Sequence, residues 1–255
     1  MSLNPKLTDW HGQRVWIIGA SSGIGAALAS RLGQSGARLA LSARRQSALQ
    51  EVAMKGDRIL PLDVADAEAV GTAQQTLTAE WGAIDLVIYC AGVYTPMRSW
   101  ELDLQKVGLG MSVNLAGVYH LLHAVIPDFI QRGAGGVCLV ASVAGYTGLP
   151  KALAYGPFKA ALINLAQILY ADLSPRGIGV YLINPGFVAT RLTQQNDFTM
   201  PAIIPPDTAA REILAGLARG AFETHFPKRF TWWMRRLSRL PDWLRLPLMK
   251  RVAQS

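Results

Sequence analysis

Cysteine is scarce in this chain: two among 255 residues, Cys90 and Cys138. Two thiols build no disulfide framework and fit no zinc spacing, so neither cross-links nor a structural metal organises the fold. Charge is sparse as well, at 16% of residues against 51% hydrophobic. That balance excludes a disordered chain and supplies enough apolar material for one large core. No uninterrupted apolar run approaches the ~20 residues of a membrane-spanning helix. No basic-then-apolar leader with a small-residue cleavage site is visible. Internal repeats, low-complexity stretches and Pro/Gly/Ser-rich linkers are missing too. These absences predict a soluble, single-domain protein of a reducing, cytoplasmic compartment.

What is present is an alternation. Short, nearly continuous apolar runs recur at Val15–Ile18, Arg38–Ser42, Ile59–Leu62, Leu86–Tyr89, Val137–Val140 and Val180–Ile183. Runs of this kind suit parallel strands covered on both faces. Between them lie stretches of helical period: Ile24–Leu32, Ala65–Trp81, Val107–Arg132 with Pro127 as an expected kink, and Ala154–Leu173. Strand–helix alternation with short connections predicts an α/β fold, a single doubly wound parallel sheet of Rossmann type. About seven strands are expected, with helices on both faces.

The first run leads straight into Gly19-Ala20-Ser21-Ser22-Gly23-Ile24-Gly25, and a helix follows. A strand turning sharply into a helix while its backbone approaches a pyrophosphate tolerates no Cβ. The exposed N–H groups and the positive helix end then hold the anion. Gly19, Ser21, Ser22, Gly23, Ile24 and Gly25 are therefore candidate dinucleotide-binding residues. After the second run comes Ser42-Ala43-Arg44-Arg45, with no carboxylate. An acid here would accept from the ribose hydroxyls of NAD; a guanidinium pairs with the 2′-phosphate of NADP. Arg44, with Arg45 as second candidate, points to NADP(H).

Tyr155 and Lys159 stand four residues apart in Tyr155-Gly156-Pro157-Phe158-Lys159. On a helix they share a face, and Pro157 is tolerated only in a first turn, so Tyr155 is expected at the helix start. Taken with the Gly-x-x-x-Gly-x-Gly turn, the order Asn114, Ser142, Tyr155, Lys159 resembles the short-chain dehydrogenase/reductase family. The resemblance covers about Arg14 to Leu192, roughly 70% of the chain. The chain departs from the family pattern in two places. Ile18 stands where Thr is usual, and Tyr89-Cys90-Ala91-Gly92 where Asn-Asn-Ala-Gly is usual.

The resemblance implies a catalytic set of Asn114, Ser142, Tyr155 and Lys159. Tyr155 would act as general acid in reduction, its pKa lowered by Lys159, which would also hold the nicotinamide ribose. Ser142 would donate to the substrate oxygen, and Asn114 would position a water linking Lys159 to solvent. It implies further that Asp63 and Val64 receive the adenine and that Ala91 and Gly92 lie against the adenosine ribose. Pro185, Gly186, Val188 and Thr190, in the segment after the sixth run, would lie along the nicotinamide. The expected activity is carbonyl–alcohol interconversion on a small molecule. Val93, Tyr94, Trp100, Tyr146, Leu149, Phe187 and Phe198 suggest a substrate with an apolar body. No metal site is expected; His120 and His123 have no carboxylate or Cys at ligand spacing and read as structural or interface residues.

The charge is lopsided. The net charge is +8, and residues 226–251 hold eight bases against the single acid Asp242. A basic tail on a near-neutral body argues against nucleic-acid binding spread across the fold. Phe230, Trp233, Met234, Leu237 and Leu240 recur at helical spacing, with Arg235, Arg236 and Arg239 opposite; Trp243, Leu244 and Leu248 follow. The expected organisation is a dinucleotide-binding and catalytic body over residues 1–225 and a basic, Trp-rich helical extension over 226–255, part of the same domain. Such a helix suits three placements: peripheral contact with a membrane through residues 228–251, a cover over the site, or packing in a homodimer or homotetramer. The competing functional reading is a non-catalytic NADP(H)-binding module tethered by this tail.

Overall fold

The structure, a computed structural model, describes residues 2–254, with side chains through Arg251. The chain runs β1 (Arg14–Ile18), α1 (Gly23–Gln34), β2 (Arg38–Ser42), α2 (Gln46–Gln50), β3 (Arg58–Ile59), α3 (Ala67–Trp81) and β4 (Leu86–Tyr89). It continues α4 (Leu104–Met111), α5 (Gly117–Arg132), β5 (Gly135–Val140), α6 (Tyr155–Leu173) and β6 (Ile178–Pro185). The last elements are α7 (Pro206–Ala218), β7 (Glu223–Phe226), α8 (Lys228–Ser238) and α9 (Asp242–Gln254).

The strands form one seven-stranded sheet in the order β3-β2-β1-β4-β5-β6-β7, and every pairing is parallel. Two apolar layers cover it. One packs α3, α5 and α6 against Trp16, Val87, Leu139 and Leu182. The other packs α1 and α7 against Ile17, Leu41, Ile88 and Ile183. Successive strand residues point to opposite faces, so a strand buried on both must be apolar throughout; β4 and β6 are buried along their whole length. The topology reverses between β1 and β4, which places a crevice at the carboxyl ends of the strands.

Three elements differ from expectation. The third strand is regular over only Arg58 and Ile59, although the Leu60 and Leu62 N–H groups go on donating to the Leu41 and Ala43 carbonyls; Pro61 falls between them, where its missing donor faces the open edge of the sheet. The long helix does not break at Pro127, which lies inside α5. It is interrupted at Ser112–Ala116, a wider π-helical turn. The seventh strand, Glu223–Phe226, carries too little apolar pattern to stand out, yet pairs fully with β6. The helical stretch Leu104–Arg132 has the length and mean hydropathy (1.4) of a membrane span. Its apolar face instead lies against the sheet, with Val118, Leu121, Leu122, Val125 and Phe129 buried.

Candidate active site

The turn after β1 is as tight as its glycines require. Gly19 has φ +87°, and a Cβ there would lie 2.5 Å from the Ala91 nitrogen. A Cβ on Gly25 would lie 2.2 Å from the Gly19 oxygen. The Gly19 and Ala20 N–H groups both donate to the Ser42 carbonyl, at 2.8 and 3.1 Å. The turn is thereby tied to β2 without the side-chain hydroxyl that Ile18 lacks. Ser22 opens α1 without a side-chain cap, and no acid occupies the first turn. The helix start keeps its unsatisfied donors and positive end, which is what an anion needs. Gly23 comes within reach of Thr190, whose Cγ2 would be 2.9 Å from an added Cβ. The segment after β6 therefore arches over the turn.

Arg44 and Arg45 follow the end of β2, both exposed. Neither guanidinium makes a hydrogen bond or ion pair with another described residue. At the end of the β3 segment, Asp63 accepts from the Ala65 N–H at 3.0 Å. Asp66, not Asp63, caps α3, accepting from Glu68 and Ala69. The Asp63 carboxylate is thus oriented beside the crevice and free of the helix. His120 bonds the Val64 carbonyl at 2.8 Å, which gives that ring a structural partner.

The second half of the site is built from α4–α6. Asn114 is buried in the π-helical turn and makes a reciprocal pair with Val93: its amide donates to the Val93 carbonyl at 2.9 Å, and its carbonyl accepts the Val93 N–H at 3.0 Å. The Tyr89 hydroxyl donates to the Val113 carbonyl at 2.6 Å, drawing that backbone toward β4. The second contact accounts for the widened turn, since it diverts a backbone carbonyl that a regular helix would pair internally. The carboxamide of Asn114 thus clamps the loop after β4 through both its amide and its carbonyl.

Ser142 follows β5 and accepts from the Ala144 N–H at 3.1 Å. The turn it opens lies directly on α6: a Cβ on Gly145 would meet the Lys159 backbone at 2.6 Å. Tyr155 is the first residue of α6, as Pro157 requires. Lys159, one turn on and 4% exposed, donates to the Val140 carbonyl at 2.9 Å, with Nζ 5.4 Å from the Tyr155 ring centroid. Burial lowers the Lys159 amine to about 8. Burial pushes the Tyr155 phenol up to about 12, opposed by the adjacent Ser142 hydroxyl. The phenol is therefore raised, where the sequence predicted that the lysine would lower it. The ammonium faces Val140 and the ring, so its charge does not outweigh the desolvation of a phenolate.

The mouth is aromatic. Tyr94 packs edge-on to Tyr155 with centroids 5.1 Å apart, and Phe187 contacts both Phe198 and Phe230. Trp100 does not line it; that side chain is 77% exposed, beside Arg98. Tyr146 also turns away, to donate to the Glu223 carboxylate. The same carboxylate accepts from Asn184 at 2.9 Å and pairs with Arg235 of α8 at 3.1 Å. Arg235 continues to His225 at 3.1 Å. Glu223 and Arg235 escaped the sequence reading, which placed Arg235 on the outer face. Their only signal was one acid just before a basic tail.

The family profile described as short chain dehydrogenase matches residues 13–200. An uncharacterized oxidoreductase of Myxococcus xanthus is 36% identical over 217 residues, 83% of this chain and 86% of that protein. A D-threitol dehydrogenase of Mycolicibacterium smegmatis is 35% identical over 188 residues, 71% and 72% of the two chains. Among solved structures, a short chain dehydrogenase of Burkholderia cenocepacia in complex with NADP superposes with TM-score 0.83 at 23% identity, covering 96% of this chain and 99% of that one.

Proposed function

The chain belongs to the short chain dehydrogenase family, and from that premise we propose that it is an NADP(H)-dependent oxidoreductase interconverting a ketone or aldehyde with an alcohol. The observation that carries the reading is one convergence. Ser142, Tyr155 and Lys159 meet on one wall of the crevice, and Gly92 brings its backbone next to both Asn114 and Lys159. The glycine turn lies against Ala91 on the other side. A cradle that a Cβ would fill, an uncapped helix start and the unpaired Arg44 and Arg45 fit a phosphorylated dinucleotide. Asp63 and Val64 take the adenine end. Pro185, Gly186, Val188 and Thr190 take the nicotinamide end.

When bound, the nicotinamide supplies a hydride in reduction and accepts one in oxidation. Ser142 donates to the substrate oxygen, where charge grows in the transition state. Tyr155, held protonated by burial, gives that oxygen its proton. Lys159 holds the ribose hydroxyls and carries the proton that replaces the one given up. Asn114 fixes the loop that walls this group. The aromatic mouth at Val93, Tyr94, Phe187 and Phe198 supports a substrate with an apolar body. A purely NADP(H)-binding role leaves the joint placement of Ser142, Tyr155 and Lys159 without a purpose.

A homodimer or homotetramer is part of the proposal, resting on exposed Leu104, Leu109, Met111, Tyr119 and Ile168 on α4–α6. So is a cytoplasmic setting, resting on the free thiols of Cys90 and Cys138. An aldehyde and ketone panel followed by NADPH absorbance tests the activity. Tyr155→Phe should lower turnover about 10²- to 10⁴-fold while NADPH still binds. Wild-type-like turnover in that variant, or equal affinity for NADH and NADPH, would overturn the reading.

A further inference from the structure

The tail helix α8 is seated by one face. Phe230 packs on Phe187, Thr231 and Met234 are buried, and Arg235 is paired with Glu223. That seating turns Trp232 and Trp233 outward, 42% and 64% exposed. α9 adds Trp243, 73% exposed, with Leu244, Leu246 and Leu248. Of the described side chains of α9, only Arg245 and Met249 turn inward. Around these apolar groups stand Lys228, Arg229, Arg236, Arg239, Lys250 and Arg251, all exposed. None of the six forms an ion pair among the described residues. The Arg236 guanidinium lies 3.9 Å above the Trp232 ring.

We infer that this face docks on an anionic lipid bilayer. Indole rings have an apolar body and a polar edge and settle at the water–hydrocarbon boundary. Leucines beside them add buried apolar area, and a ring of unpaired cations is drawn to anionic headgroups. A second copy of this chain is a poor occupant, because the contact would bring two like-charged faces together. Nucleic acid would satisfy the cations and stack on tryptophan, but it gives Leu244, Leu246 and Leu248 nothing to bury against. Only a bilayer meets all three groups. The inference does not rest on the catalytic reading, since the docking face lies outside the crevice.

The test uses the full chain, because α8 supports the crevice and cannot be cut away. It sediments the protein with vesicles of phosphatidylcholine alone or mixed with phosphatidylglycerol, at low and high salt. Binding to the anionic vesicles is expected, at least about tenfold weaker on the neutral ones and weakened again as salt screens the charge. The double variant Trp233→Glu/Trp243→Glu should lose about tenfold or more in partitioning, with NADPH binding unchanged. Brominated lipids should quench the tryptophan fluorescence of the unmodified protein, a readout that needs no variant to fold. No partitioning into anionic vesicles, equal partitioning into both kinds, absence of quenching, or a dimer that the double variant dissociates would overturn the inference.

Discussion

Lys159 is a cation that the fold hides from water, yet its amine is lowered only to about 8. It is therefore charged at neutral pH and loses its proton as the pH rises through about 8. In the proposed reaction the ammonium holds ribose hydroxyls and returns a proton to Tyr155. The reductive kcat is expected to fall as pH rises across that value, although the phenol itself remains protonated up to about 12. Lys159→Arg, whose charge does not titrate there, should be slower but flat over the same range. A pH–rate profile of both proteins checks this; a descent near pH 8 that persists in the arginine variant would assign it elsewhere. Such residues were legible because their spacing is local: a glycine turn between strand and helix, and a phenol and amine one turn apart. Tyr89 was not, since its hydroxyl finds a carbonyl 24 residues away. Nor was the direction of the Tyr155 shift, which depends on how much protein surrounds the ring.

At the scale of elements, β7 and α8 are joined through one carboxylate. Glu223 receives Tyr146 from the turn opened by Ser142, Asn184 from the end of β6, and Arg235 from α8. Glu223→Gln preserves shape but removes the charge that Arg235 answers. With both side chains partly screened by water, the cost is expected to be about 1–2 kcal/mol. A thermal melt measures it. Loosening of the Ser142 turn should also lower kcat more than it changes NADPH affinity, which separates positioning from a purely structural loss. The helix over 230–240 was legible as a helix, because its apolar residues recur at helical spacing. Its rotation was not: periodicity weighs Trp233 as a core residue and Arg235 as a surface one. The structure reverses them, because Glu223 offers the Arg235 guanidinium a partner on the inner side. Pro127 was a similar case, since a proline marks a missing donor but not whether neighbouring helices keep the chain straight.

For the whole molecule, the sheet was readable from six apolar runs, and the seventh strand was found by its neighbour β6 rather than by its own pattern. Residues 1–225 and the extension over 226–255 are proposed to unfold as one unit, because α8 packs on β7 and on the turn after β5. The apolar patch on α4–α6 makes an oligomer the expected solution state. Leu104→Glu with Met111→Glu should shift the mass measured by light scattering toward the monomer, with the melting transition still single. A mass unchanged by the pair would place the contact on another face. Because Arg235 grips Glu223 from outside and Glu223 grips the turn opened by Ser142 from inside, the C-terminal arm acts as a latch. A protease nick or a bulky fusion that pried it loose would slacken the pocket wall, so expression tags belong at the opposite end.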